Sequence, residues 1–235
     1  MKIFTIFATI SFLSTVLAGT PWIPEPRDGS WLERHEGFVN NSLINGGEIN
    51  LLFYGDSITD NWEVDDPYWG AKEIYDEYYA PLGSANYGVG SDRTEQVLWR
   101  IINGEVSNLR PKVCVLKIGT NNLDENTDVD IARGIASIVT ELRSRLPETK
   151  VLLLGILPRE NSVMTSRCEN INGMISILDN GNTVRYLNMR GAYFDGNFFY
   201  EGLYVHDLIH LSKLGYAMWQ EVMDPLFSDM FNSTN

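Results

Sequence analysis

The chain has 235 residues, 44% apolar and 21% charged, which fits a globular protein of one ordinary domain and argues against disorder. Lys and Arg number 18 against 31 Asp and Glu, a formal charge of −13. Phosphate neutralisation needs a basic face, so no nucleic-acid partner is expected, and docking on anionic membranes is disfavoured. Two cysteines and three histidines suit neither a disulfide-dense scaffold nor a zinc site, and no CxxC or HExxH spacing occurs, so no metal is expected.

Residues 1–18 read MKIFTIFATISFLSTVLA. One Lys precedes an apolar run, and Val16 and Ala18 set small side chains before a cut at Gly19. That is the pattern of a secretory signal peptide. Fifteen apolar-rich residues are short for a bilayer core of roughly 30 Å, and no second long apolar run appears, so no stable membrane insertion is expected. Export gives meaning to two N-glycosylation sequons, at Asn40 and Asn232, should the source be a eukaryote.

Residues 19–47 read as a Pro-rich entry followed by a helix over 30–44, and 48–235 as the main domain. Strands are expected at 49–54, 85–87, 113–118, 151–156 and 184–187. The middle ones are continuous Val/Ile/Leu runs, as in strands buried on both faces. Helical patterns lie at 68–80, 94–103, 129–146, 163–178 and 212–227, with Asp128 a candidate cap. Alternating strands and helices imply α/β architecture: a five-stranded parallel sheet with helices on both faces, flavodoxin-like, whose ligand site lies outside the carboxyl ends of the strands. Cys114 falls in an apolar run. Cys168 falls in a polar stretch, where one partly exposed thiol is the plain expectation and a bridge to Cys114 is not favoured.

The residues just past the strands carry the candidate chemistry. Gly55-Asp56-Ser57 places a Ser at a helix N-terminus, where amides and the dipole favour developing negative charge. By itself this is an ordinary helix start. Gly88-Val89-Gly90-Ser91 makes a tight loop whose amides are free to face a ligand. Gly119-Thr120-Asn121-Asn122 offers Asn donors. Asp207-Leu208-Ile209-His210, ahead of the last helix, puts a carboxylate three residues before an imidazole, close enough to fix its tautomer. Of the other histidines, His35 lies far from any strand end and His206 lacks this spacing.

Together these four blocks resemble the SGNH (GDSL-type) hydrolase family. Within it the resemblance is closest to the catalytic subunits of the intracellular platelet-activating-factor acetylhydrolases, notably at Val97-Leu98-Trp99-Arg100, Asn103-Gly104-Glu105 and Leu154-Gly155-Ile156-Leu157-Pro158-Arg159, and it covers about residues 48–226. It implies the flavodoxin-like fold and a serine esterase needing no cofactor. Ser57 would be nucleophile, His210 base and Asp207 its orienting acid. The Ser57 amide, the Ser91 amide and the Asn121 side chain would form the oxyanion hole, and Asp56 would be structural. Two departures stand out. Ser91 occupies a position where the family commonly has Gly, and the acetylhydrolases work inside cells without a signal peptide. The expected partner is a small ester, either an acetylated glycan or a short-acyl phospholipid. The aromatic stretch 193–204 is a candidate sugar-stacking loop, with packing as the plainer reading. The rival function is a non-catalytic carbohydrate- or lipid-binding protein on the same scaffold. The oligomeric state is left open.

Overall fold

The computed structural model describes residues 19–233; the signal peptide expected over 1–18 lies outside the described residues. Five parallel strands, β1 (Leu51–Gly55), β2 (Ser84–Gly88), β3 (Val113–Lys117), β4 (Lys150–Leu154) and β5 (Val184–Leu187), pair in the order β2-β1-β3-β4-β5. Around them lie α1 (Ser30–Asn45), α2 (Ser57–Asp60), α3 (Lys72–Tyr78), α4 (Thr94–Arg100), α5 (Asp128–Arg145), α6 (Ser162–Ile175), α7 (Arg190–Tyr193) and α8 (Lys213–Asn232). This is the flavodoxin-like α/β/α arrangement expected.

The strand sequences dictate the two layers, because neighbouring side chains point to opposite faces. Leu52, Tyr54, Cys114, Leu116, Val151 and Leu153 join residues of α4, α5 and α6 in one core. Leu51, Phe53, Val113, Val115, Leu152 and Leu154 join Tyr75 and Tyr79 of the α3 segment and Trp219, Met223 and Phe227 of α8 in the other. Burying each such side chain is worth roughly 1.5–3 kcal/mol, so runs apolar at every position are stable only between two helical layers. The chain reverses its winding between β1 and β3, so the crevice opens at their carboxyl ends.

Two close approaches hold that edge. A Cβ at Gly55 would stand 2.2 Å from the Lys117 carbonyl oxygen, and one at Gly88 2.2 Å from the Asp60 amide nitrogen. Glycine at both positions lets α2 lie directly on the ends of β1 and β2. The entry segment is tied to the sheet-bearing part: Thr94 Oγ1 donates to the Pro21 carbonyl at 2.9 Å, and Asn126 Nδ2 to that of Gly19 at 3.0 Å.

Several local expectations change. The helix expected over 68–80 covers only α3. Asp66 Oδ1 accepts from the amides of Tyr68 (2.8 Å) and Trp69 (3.2 Å), making a turn that delays the helix. The helix expected over 94–103 leaves α-geometry at Asn103 and Gly104 (φ 113°), which turns Glu105 inward. Thr127, not Asp128, caps α5, accepting from the Asp130 amide. The last helix runs on past 227, carrying Pro225 within it. Cys168 is fully buried rather than partly exposed, because α6 lays that face on the core. Both thiols are free, and burial pushes each up to about 12.

Candidate active site

β1 ends at Gly55, and Asp56 caps the single-turn helix α2 by accepting from the Ile58 amide at 2.9 Å. Asp56 therefore shapes the turn and does not face the cavity chemistry: its side chain is buried, with the Lys117 ammonium 3.8 Å from Oδ2. Burial lowers the Lys117 pKa, and the charge of Asp56 opposes that shift. Ser57 then falls at the first helical position, where an amide has no intrahelical acceptor.

The loop that brings a base to Ser57 comes from the other end of the chain. Tyr204 and Leu211 form an antiparallel bridge, and the Val205 amide donates to the His210 carbonyl at 2.9 Å. Within this closed loop Asp207 Oδ1 accepts from the amides of Ile209 and His210, both at 2.9 Å. Its Oδ2 lies 2.7 Å from His210 Nδ1, and His210 Nε2 lies 2.8 Å from Ser57 Oγ. Asp207 is thus oriented by backbone and orients the ring in turn. A proton on Nδ1 facing the carboxylate leaves Nε2 free to accept from the Ser57 hydroxyl. Burial raises the Asp207 pKa, but the bonds from the His210 ring and the two amides prevail and hold it below the usual carboxylate value.

The remaining expected residues gather at neighbouring strand ends. Ser91 follows β2 with a φ of 62°, a left-handed conformation, and Asn121 follows β3. Among the described residues no protein group accepts from the Ser57 or Ser91 amide. Asn121 Nδ2 donates to the Asp92 carbonyl at 2.8 Å, which fixes the side chain and leaves its second N–H for a ligand. His35 stands apart, buried, its Nδ1 2.8 Å from Glu105 Oε1. His206 lines the cavity but makes no link to Ser57.

A cavity of about 700 Å³ opens at Ser57 and His210. Its wall includes Asn61, Tyr68, Trp69 and Tyr204, none of which the sequence pattern assigns individually to the site. Of the stretch 193–204, Tyr193, Phe194 and Tyr204 are buried and pack on one another and on Phe199, so the plainer reading of that loop holds for them. Among the described residues no cluster of His, Cys, Asp and Glu could hold a metal ion, and no helix is long and apolar enough to cross a membrane.

The doubly wound sheet and the family match together mark an ester hydrolase of the SGNH (GDSL) type. The chain belongs to the GDSL-like lipase/acylhydrolase family, whose model matches residues 53–218. It is 33% identical over 210 residues to the human platelet-activating factor acetylhydrolase IB subunit alpha2, covering 88% of this chain and 87% of that protein. It is 34% identical over 195 residues to the bovine alpha1 subunit, covering 81% and 79%. The fold is shared with a GDSL-like lipase of Bacteroides thetaiotaomicron (TM-score 0.64, 19% identity, 83% of this chain and 98% of that one). It is shared also with a carbohydrate esterase family 3 protein of Talaromyces cellulolyticus (TM-score 0.61, 16% identity, 80% and 100%).

Proposed function

We propose that this protein hydrolyses short-chain carboxylic esters, acetyl esters foremost, through an acyl-enzyme on Ser57. The observation that carries the reading is the hydrogen-bonded series Ser57–His210–Asp207 at the mouth of the cavity. Ser57 Oγ attacks the ester carbonyl while its proton passes to His210 Nε2. The carbonyl oxygen becomes an oxyanion, met by the Ser57 and Ser91 amides and the Asn121 side chain. As the tetrahedral intermediate collapses, the carbon–alkoxy bond breaks and His210 returns the proton to the leaving alcohol. Water then attacks the acyl-serine with His210 again as base, releasing the carboxylic acid and restoring Ser57. Asp207 stabilises the imidazolium at each transfer.

The acetyl group is supported by the relatives, which are acetylhydrolase subunits by name. Two alcohol halves suit such an ester, a carbohydrate hydroxyl or the glycerol of a short-acyl phospholipid. Export is part of the proposal, supported by the pattern over 1–18; N-terminal sequencing of protein recovered from culture medium should then begin at Gly19. Asn40 and Asn232 are exposed sequon positions, as acceptor sites require. A fluorophosphonate should label the wild type at Ser57, and turnover of p-nitrophenyl acetate should vanish in Ser57→Ala. Labelling at another residue, or turnover surviving in Ser57→Ala, would point to a different nucleophile, and a wild type with neither labelling nor turnover would leave the binding-protein reading.

A further inference from the structure

We infer that the alcohol half of the substrate is an uncharged sugar ring, seated on an aromatic platform made by Tyr68 and Trp69. This rests on the ester-hydrolase reading of Ser57 and goes on to choose between the two alcohols that reading allows.

The platform is built, not incidental. Asp66 Oδ1 gathers the Tyr68 and Trp69 amides, the Gly70 amide donates to the Asp66 carbonyl at 3.1 Å, and the Ala71 amide to that of Asn61 at 3.2 Å. At Gly70 a Cβ would stand 2.0 Å from the Val64 carbonyl oxygen, so the turn closes tightly only with glycine. The Lys213 amide reaches the Tyr68 carbonyl at 3.4 Å, joining the turn to the start of α8. Five hydrogen bonds thus hold the backbone that carries two large rings at the cavity, while Tyr68 stays 78% and Trp69 39% exposed. Elsewhere in this layer Tyr75, Tyr79, Trp62 and Trp219 are buried. Rings exposed on one rigid turn beside a nucleophile are placed for a ligand face rather than for the core.

Charge selects the ligand. Among the described residues no Lys or Arg lines the cavity. The nearest cations in sequence are already engaged: Lys213 Nζ bonds Glu73, and Lys72 Nζ bonds Asp76 at 2.8 Å. Glu63, Asp65 and Asp66 flank the platform in the same segment. A phosphodiester brought here would meet Asp207 and, among the described lining residues, no guanidinium or ammonium, whereas phosphate recognition relies on such donors. A pyranose presents an apolar C–H face to an aromatic ring and hydroxyls to polar groups around it. Asn61 and Ser212 supply such groups in the same wall.

The test measures kcat and KM on three acetyl esters: ethyl acetate, which has no ring; an acetylated xylo-oligosaccharide; and an acetyl-glycerophosphocholine. Wild type should give its highest kcat/KM on the oligosaccharide. Trp69→Ala and Tyr68→Ala should lower that value by about 10- to 100-fold more than the value for ethyl acetate, chiefly through KM, the range expected for losing a stacked aromatic face. Trp69→Phe should recover most of the loss. Preference of the wild type for the phosphocholine ester, or equal losses on all three esters in both alanine variants, overturns the platform and leaves the ester-hydrolase reading standing. Failure of that reading has its own signature: no Ser57-dependent turnover of ethyl acetate, which removes the inference with it.

Discussion

Two hydrogen-bonded charge assemblies meet the carboxyl edge of the sheet, and they differ in what surrounds them. Around Arg100 the partners are buried, except Arg27, which reaches Asp92 from the surface at 3.2 Å. Arg100 Nε donates to Asp92 at 2.8 Å and its NH1 to Glu105 at 2.7 Å, while further N–H groups reach the carbonyls of Tyr87 (3.1 Å) and Gly55 (3.3 Å) at the ends of β2 and β1. Trp31 Nε1 completes Asp92 at 2.7 Å, and His35 and the Tyr54 hydroxyl complete Glu105. Each carboxylate oxygen has a partner, so nothing is left to react. The Ser57–His210–Asp207 series uses the same kinds of group on a loop, with His210 and Asp207 each about a third exposed. Its Ser57 oxygen faces a cavity. Full satisfaction inside makes a tether; partial satisfaction at a cavity makes a site. The two are coupled through one loop, because Asp92 is the residue directly after Ser91 and its carbonyl holds Asn121.

The difference can be broken at either end. The largest expected effect is Asp207→Asn. It removes the acceptor that fixes the Nδ1 proton, and kcat should fall by up to about 10⁴-fold with the melting temperature little changed. Wild-type Asp207, held below the usual carboxylate value, keeps its charge down to acid pH and loses its stabilising contribution only as pH falls through that depressed value. Protonation of Asp207 should therefore leave kcat/KM unaffected above pH 5. Near-wild-type kcat in Asp207→Asn would mean a Ser–His pair suffices. Arg100→Met acts on the other assembly. It leaves Glu105 buried without its arginine and Asp92 with only the part-exposed Arg27 as cation, which costs about 3–5 kcal/mol, or a melting temperature lowered by roughly 6–20 °C. A shift under 2 °C on thermal melting would show that the network does not hold the edge.

These assemblies are unequally legible in the sequence. The Asp-x-x-His pair is local, so its spacing alone suggests the contact, and the β strands show through because both faces of each are buried. The Arg100 network joins residues 31, 35, 54, 92 and 105, which no local pattern links. The aromatic rim is hidden for a related reason. Tyr68, Tyr75, Tyr78 and Tyr79 mimic a helical stripe, and only the close approach of Gly70 to Val64 and the Asp66 turn separate the first from the rest. The richer aromatic stretch 193–204 is the more conspicuous sugar-stacking candidate, yet its buried rings belong to the core. Cys168 looks exposed because its neighbours are polar, whereas the packing of α6 against α5 decides its burial.

Between the two assemblies in effect stands Asn121→Ala. Loss of one oxyanion donor typically costs 10²–10³ in kcat, about 3–4 kcal/mol of transition-state energy. Because Asn121 also holds the Asp92 carbonyl, KM on ethyl acetate should be measured beside kcat: a fall in kcat at steady KM marks the oxyanion, and a rise in KM alone marks a loosened loop.

The smallest effect is expected at Ser91, where site and tether meet in adjacent residues. Its φ of 62° lies where a side chain is disfavoured by roughly 1–2 kcal/mol relative to glycine. Glycine loses more freedom on folding, by roughly 0.5–1 kcal/mol, which offsets part of that strain. Ser91→Gly should thus leave stability equal or raise it by up to about 1.5 kcal/mol. The amide is retained, so kcat should change less than about tenfold, under roughly 1.4 kcal/mol. Proline is a poor probe here, since its ring demands φ near −65° and would move the loop as well as delete the donor. Ser91→Ala is the informative companion. Like Ser91→Gly it keeps the N–H and removes the hydroxyl, but it retains the strained φ. If the amide acts, both variants keep kcat and differ only in melting temperature, glycine above alanine. If both lose kcat together, the Ser91 hydroxyl itself meets the oxyanion, and the backbone donor must be sought elsewhere on the loop.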